Sequence, residues 1–263
     1  MRILICTDME GISGVCIWDQ TRDQTTAHYQ EARRLLMADI AAAVDGCRAG
    51  GADDVVASDG HGGGFNFVPE LMHPGARYLT GRQRTSMTQR EAFFRAVDGV
   101  ILLGYHAMAE TPDGILRHTQ SSLGGNRYWY NDRECGEIAQ SALVYGHFGI
   151  PVVMLTGDTA ACREAREFLG EAIVTVPVKE GYSAQFGLLM APKDAHDRIR
   201  EGAQQAMGRI RECRPFTMEL PIRGRLRVGD KSIADARRTT RSRRVDDCTF
   251  ETVFEIPLEI YSF

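Results

Sequence analysis

A chain of 263 residues with 43% hydrophobic and 25% charged residues has ordinary globular composition, long for one domain and too short for two large ones, so one core with a smaller appended part fits best. Its formal net charge of −4 argues against a nucleic-acid partner, which calls for a clear basic excess, and no apolar run approaches the length of a membrane span. The seven cysteines, Cys6, Cys16, Cys47, Cys135, Cys162, Cys213 and Cys248, are scattered and odd in number, which excludes a disulfide framework or a cysteine-rich zinc module and reads as reduced thiols in a cytoplasm.

The first predicted element is a strand over Ile3–Cys6, too short and too soon followed by acids to be a signal peptide. A helix follows over about His28–Ala49, with Leu35, Leu36, Ile40, Val44 and Cys47 at helical spacing and Gly50–Gly51 as its stop. Further strands are expected at Val55–Ala57, Val100–Leu103, Val152–Leu155 and Ile173–Val176, all apolar and β-branched without polar alternation, as strands covered on both faces should be. Helices are expected at Gly136–His147 and Thr159–Leu169 between them. That alternation predicts an α/β fold, a mostly parallel sheet with helices on both faces. The last third changes character: a polar helix over Lys193–Cys213, then β-like pieces in "FTMELPI" and "CTFETVFEI" around a basic stretch, Arg237–Arg244. We expect an α/β metal-binding catalytic part over residues 1–180 and a smaller α+β subdomain over 181–263 for oligomerisation, with the basic run as a solvated face or, second, a contact with an acidic neighbouring subunit.

Three of the five strand candidates end in metal-ligating side chains. Asp8 and Glu10 follow the first in "TDMEGISG", Asp59 and His61 the second in "SDGHGGG", and His106 the third in "GYHA". The carboxyl ends of parallel strands share one edge, so these residues converge there. Carboxylate with imidazole suits zinc, manganese or iron, and an Asp can bridge two ions of a hydrolytic pair. Each residue alone has an ordinary explanation: turn acids, a loop histidine, a core histidine, and for Asp59 a turn residue or a carboxylate that orients a ligand. Their coincidence at three strand ends favours chemistry. "HGGG" matches a lipase oxyanion loop, but the chain has no G-x-S-x-G elbow, and no phosphate-binding glycine motif accompanies it.

"TDMEGISG", "SDGHGGGFN", "MHPGARYLTG", "LLGYHAMAETP", "RHTQSS" and "YNDRECGE" occur in an order and with loop lengths that resemble the DppA-type D-aminopeptidases, metallopeptidases of the dipeptide-transport operon type. The resemblance covers residues 1 to 190 and is weaker beyond, where "PLEIY" is similar to the family's close. It implies a binuclear zinc site formed by Asp8, Glu10, His61, His106 and Glu137, with His118 as the catalytic histidine. On its own, Glu137 reads as a helix-capping acid and His118 as a polar loop residue.

The function expected is therefore hydrolysis of the N-terminal, D-configured residue of short peptides by a zinc-activated hydroxide, with Asp8 bridging, Asp59 in a supporting role and manganese as the alternative ion. The resemblance also implies a homo-oligomer of stacked pentameric rings; with the cysteine, charge and hydropathy readings above, a cytoplasmic protein without a nucleic-acid or membrane partner is expected. Two alternatives stand beside it. One is a binuclear hydrolase of another amide or of a phosphoester, for which Arg82, Arg84 and Arg117 offer charge; the other is a peptide-binding relative without turnover.

Overall fold

The structure is a computed structural model that describes residues 1–81, 86 and 88–263. The chain enters through β1 (Arg2–Thr7), crosses a loop containing the 3-10 turn Trp18–Gln20, and forms α1 (Ala27–Ala49), whose start is capped by the Thr26 hydroxyl accepting the Tyr29 N–H. β2 (Asp54–Asp59), β3 (Arg77–Leu79), α2 (Glu91–Phe94) and β4 (Gly99–Leu103) follow. A long loop leads to β5 (Arg127–Tyr130) and β6 (Arg133–Glu134), then α3 (Glu137–His147), β7 (Val152–Asp158) and α4 (Thr159–Leu169). Next come β8 (Val174–Ser183), β9 (Phe186–Leu189) and α5 (Pro192–Arg209). The chain closes with β10 (Ile222–Arg227), α6 (Lys231–Ala236), β11 (Arg243–Arg244) and β12 (Thr249–Phe254).

The larger sheet has the order β3-β2-β1-β4-β7-β8-β9, parallel except for the β8–β9 hairpin. Its central strands β1, β4 and β7 are almost wholly buried because both faces are covered, whereas the edge strands β3 and β9 are exposed. Ile3 and Ile5 join the core formed with α1 and α5, while Leu4 and Cys6 join the core formed with α3 and α4. The winding runs outward from β1 through β2 to β3, then reverses through β4, β7 and β8. The reversal falls between β1 and β4, the place in such sheets where ligands bind.

An antiparallel sheet, β11-β12-β10-β5-β6, covers the far side of α3. Ile138, Ala142 and Tyr145 of that helix pack on the larger sheet, and Ala139, Leu143 and Val144 pack against Tyr130, Leu226 and Phe254 of the smaller. The helix is buried on every face from Ile138 to Gly146, as a position between two sheets requires.

The α/β class, the mostly parallel sheet with helices on both faces and a second, smaller sheet agree with the expectation; β9 and α5, expected in the smaller part, belong to the larger sheet and its core. Three further details differ. The strand expected in "FTMELPI" begins only at Ile222 and runs to Arg227. The helix expected to Cys213 stops at Arg209. The second sheet takes β5 and β6 from the chain before α3, where two short segments gave no periodic signal. No described helix is long and apolar enough to cross a membrane.

Candidate metal centre

β1, β2 and β4 end level: Thr7 pairs with Asp59 on one side and Leu103 on the other. The residues that follow these strands therefore emerge at one edge. The loop after β1 is held down hard. Asp8 N–H donates to Leu103 O at 2.8 Å and Gly11 N–H to Gly104 O at 2.7 Å. A Cβ at Gly11 would stand 1.9 Å from Tyr105 O, so the close approach of two backbones, rather than a turn, demands glycine there. Gly14 differs, since its φ of +79° is a left-handed turn. Asp39 of α1 accepts from Ser13 N at 2.9 Å and Ser13 Oγ at 2.6 Å. Lys179 of β8, buried, donates to the carbonyls of Glu10 (2.6 Å), Ile12 (3.0 Å) and Val15 (2.6 Å).

Within this frame Asp8, Glu10, His61, His106, His118 and Glu137 meet. Ligand atoms of Asp8, Glu10 and His106 all lie within 4.8 Å of one another, as do those of His106, His118 and Glu137. Asp8 turns one oxygen to each half: Oδ1 lies 2.9 Å from His61 Nδ1, and Oδ2 lies 3.4 Å from His106 Nε2. Glu10 Oε2 is 3.1 Å from His61 Nδ1. Glu137 Oε1 accepts from Gln120 N at 2.7 Å and stands 3.4 Å from His106 Nε2 and 3.6 Å from His118 Nε2. The His106 and His118 rings stack with centroids 4.1 Å apart.

All three imidazoles are oriented in the same way. Each donates one ring N–H to a backbone carbonyl: His61 Nε2 to Thr21 O (2.8 Å), His106 Nδ1 to Ala107 O (3.0 Å) and His118 Nδ1 to Leu116 O (2.9 Å). That donation fixes the tautomer and turns the other nitrogen's lone pair inward. Lone pairs then face carboxylate oxygens, an arrangement that only a cation between them, or a proton, makes favourable. Glu10 Oε2 and His106 Nε2 are buried with no hydrogen-bond partner among the described residues. Orphaned buried acceptors of this kind are costly unless something is bound, so the residues fit a metal pair.

The electrostatics of the protein groups alone point the same way. Burial, reinforced by the Glu10 charge, pushes the Asp8 carboxyl up to about 6. Burial also works against Glu10 and Glu137, yet the neighbouring imidazoles prevail: His61 foremost holds Glu10 well below its ordinary range, and His106 brings Glu137 down to about 2. Burial disfavours a charged His106, but Glu137, Asp8 and Glu10 drive it up to about 10. His61 is likewise held well above its ordinary value, against burial, by Glu10 and Asp8. His118 goes down, by burial first and then by His106. Three buried carboxylates thus favour positive charge at this place, which protons on the imidazoles or divalent ions would supply.

Asp59 is near but does not touch the cluster through an imidazole. Its oxygens accept from Asn66 N (2.8 Å) and Asn66 Nδ2 (2.9 Å), and Asn66 Nδ2 also reaches His61 O at 3.0 Å, so Asp59 braces the loop that carries His61. Arg117 donates to Gly114 O at 3.4 Å; Arg82 and Arg84 lie outside the described residues. Sequence reading missed Lys179, whose only signal is a lysine ending the apolar run "VTVPV", and it missed Trp18 and Arg22 at the rim.

A buried carboxylate–histidine centre at the switch point of a parallel sheet defines the class of metal-dependent hydrolases. The sequence model of the D-aminopeptidase family matches residues 1–263, and the chain belongs to that family. A D-aminopeptidase of Bacillus subtilis (strain 168) is 30% identical over 218 residues, spanning 82% of this chain and 77% of the relative. Among solved structures, the Zn-dependent D-aminopeptidase DppA from Bacillus subtilis, described as a self-compartmentalizing protease, superposes with a TM-score of 0.91 at 25% identity, over 99% of this chain and 94% of that one. The family whose motifs "TDMEGISG" and "GYHA" resemble is therefore the family of the whole chain.

Proposed function

We propose that the chain is a zinc-dependent aminopeptidase that removes the N-terminal D-residue of short peptides at the centre formed by Asp8, Glu10, His61, His106 and Glu137. The observation that carries this reading is Asp8, whose two oxygens face imidazoles in different halves of the cluster. One half would be Glu10, His61 and Asp8 Oδ1, the other Asp8 Oδ2, His106 and Glu137. When bound, a zinc pair supplies water of lowered pKa and polarises the scissile carbonyl.

The chain's own residues do the rest. His118 Nδ1 is committed to Leu116 O, so Nε2 is the nitrogen that takes the proton of the attacking water and returns it to the leaving amine. Burial first, and then His106, lower the basicity of this imidazole. Trp18 meets the His118 ring edge-on with centroids 5.6 Å apart and limits its swing.

The setting follows from the relatives and the surface. We assign the protein to the cytoplasm, a reading supported by seven cysteines of which none forms a disulfide. We also assign it a homo-oligomeric state of stacked pentameric rings, supported by the DppA neighbour's self-compartmentalizing character and by the apolar residues exposed on the β8–β9 hairpin, Tyr182, Phe186, Leu188 and Leu189.

The test is to load the purified protein with zinc, measure metal per subunit by atomic absorption, and assay D-Ala-D-Ala beside L-Ala-L-Ala. About two zinc ions per subunit and turnover of the D-peptide are expected, with loss of turnover on chelation and return on adding zinc. Folded protein that binds no zinc overturns the centre, and turnover of the L-peptide alone overturns the D-assignment.

A further inference from the structure

The rim of the centre holds a cation that the reaction as described does not use. Arg22 lies on the loop between β1 and α1 and is exposed. Its Nε donates to Ser122 Oγ at 3.1 Å and its Nη2 to Ser122 O at 2.7 Å. Its guanidinium carbon stands 3.8 Å from the centroid of the Trp18 ring, and that ring in turn abuts His118. The residue before it, Thr21, supplies the carbonyl that orients His61. Arg22 and His61 line one cavity, together with Gln24, Tyr29 and Gly62–Gly64. The guanidinium thus shares a cavity with His61 and rests on the indole that abuts His118.

Two features separate this arginine from an ordinary surface arginine. First, its plane is fixed from below by the indole and along its Nε–Nη2 edge by Ser122, which leaves the Nη1–Nη2 edge as a fork; Nη1 has no hydrogen-bond partner among the described residues. Second, no described carboxylate forms an ion pair with it, so the charge of that fork is not already neutralised by a neighbouring acid. The acids whose charge it feels are Glu10 and Asp19, and Glu10 belongs to the centre. A pre-oriented guanidinium fork with an open edge is the geometry that binds a carboxylate bidentately.

We propose that Arg22 is a specificity-determining residue that binds the free terminal carboxylate of the substrate, which makes dipeptides the preferred class. This rests on the peptidase reading above. In a dipeptide only the leaving residue's nitrogen and Cα separate the scissile carbonyl from the carboxylate, so a cation lining the same cavity as His61 can meet it when the carbonyl is over the centre. A longer peptide or an amide presents a neutral group there instead.

The experiment compares D-Ala-D-Ala with D-Ala-D-Ala amide, which keeps the scissile bond and lacks the carboxylate. Zinc-loaded parent, Arg22→Met and Arg22→Lys are assayed on both. If the parent cleaves only L-peptides, the same comparison is made with the L-pair. The parent should favour the acid. Arg22→Met should lower kcat/KM on the acid about 10- to 100-fold, the worth of a hydrogen-bonded charge, mainly through KM. It should leave the amide unchanged, and Arg22→Lys should restore part of the loss. Zinc content should equal the parent's. An equal fall on both substrates, an unchanged acid, or loss of zinc overturns the proposal. A zinc-loaded parent that cleaves neither peptide overturns the peptidase reading itself.

Discussion

Asp8 and His118 have different work to do, and two substitutions separate them. Asp8 faces both halves of the cluster, through Oδ1 toward His61 and Oδ2 toward His106. Asp8→Asn keeps the shape but removes the charge that two cations would share, so bound zinc should fall from about two ions to one or fewer per subunit and turnover should vanish with it. His118→Ala should instead keep the metal and lower kcat by about 100- to 1,000-fold, the usual worth of one proton-transfer or charge-stabilising group. Atomic absorption beside kcat distinguishes the two; an ion lost from His118→Ala would make that histidine a ligand, as its position beside His106 and Glu137 allows. At this scale the strand-end residues were legible because a parallel sheet collects them. Glu137 was legible only through family resemblance, since an acid in a helix's first turn has an ordinary use. Arg22 was not legible at all: its partner Ser122 is 100 residues away in sequence.

The loop from Asp8 to Val15 is an element without regular structure, and its shape is imposed from outside. Lys179 satisfies three of its carbonyls, and its ammonium is buried, which lowers its pKa to about 8, burial being the chief cause. Lys179→Met keeps the length of the side chain and takes this donor from the carbonyls of Glu10 and Val15, at about 1–3 kcal/mol each where they stay dry, while Ile12 O keeps the Val15 N–H. The expected result is a folded but less stable protein whose zinc affinity falls about 10- to 100-fold, because Glu10 is no longer held. Thermal melts and zinc titration with a competing chelator check this; unchanged zinc affinity would show that the loop holds its own shape. The regular elements were easier to read. The helices expected over 28–49, 136–147 and 159–169 are observed as Ala27–Ala49, Glu137–His147 and Thr159–Leu169, since long amphipathic periods and caps are local signals. β5 escaped because its neighbour β10 lies far along the chain, with Trp129 paired to Arg225, and the pairing that makes it a strand is not written in its own few residues.

For the whole molecule, the β8–β9 hairpin places an exposed apolar surface next to the mouth of the centre. Its outward residues include Phe186 at 67% and Leu188 at 63% exposure, too apolar for a surface that meets only water. The same hairpin supports the mouth of the centre: Leu116 N–H donates to Ala184 O at 2.7 Å, and Trp18 N–H donates to Gln185 Oε1 at 2.9 Å. An edge strand with that apolar face is a surface other copies of the chain would cover, and copies packed there would wall the approach to His118. The assembly would then set which peptides reach the zinc pair. Leu188→Asp, at a solvent-facing position that the fold does not need, should disperse the oligomer in sedimentation velocity while zinc content and the melt stay near the parent's. If the walls exclude long chains, the dispersed variant should gain activity on unstructured peptides of ten or more residues relative to dipeptides. An assembly that persists in Leu188→Asp would move the interface elsewhere, and dispersal without a change in the length preference would leave the selection to the rim of each subunit, where Arg22 stands.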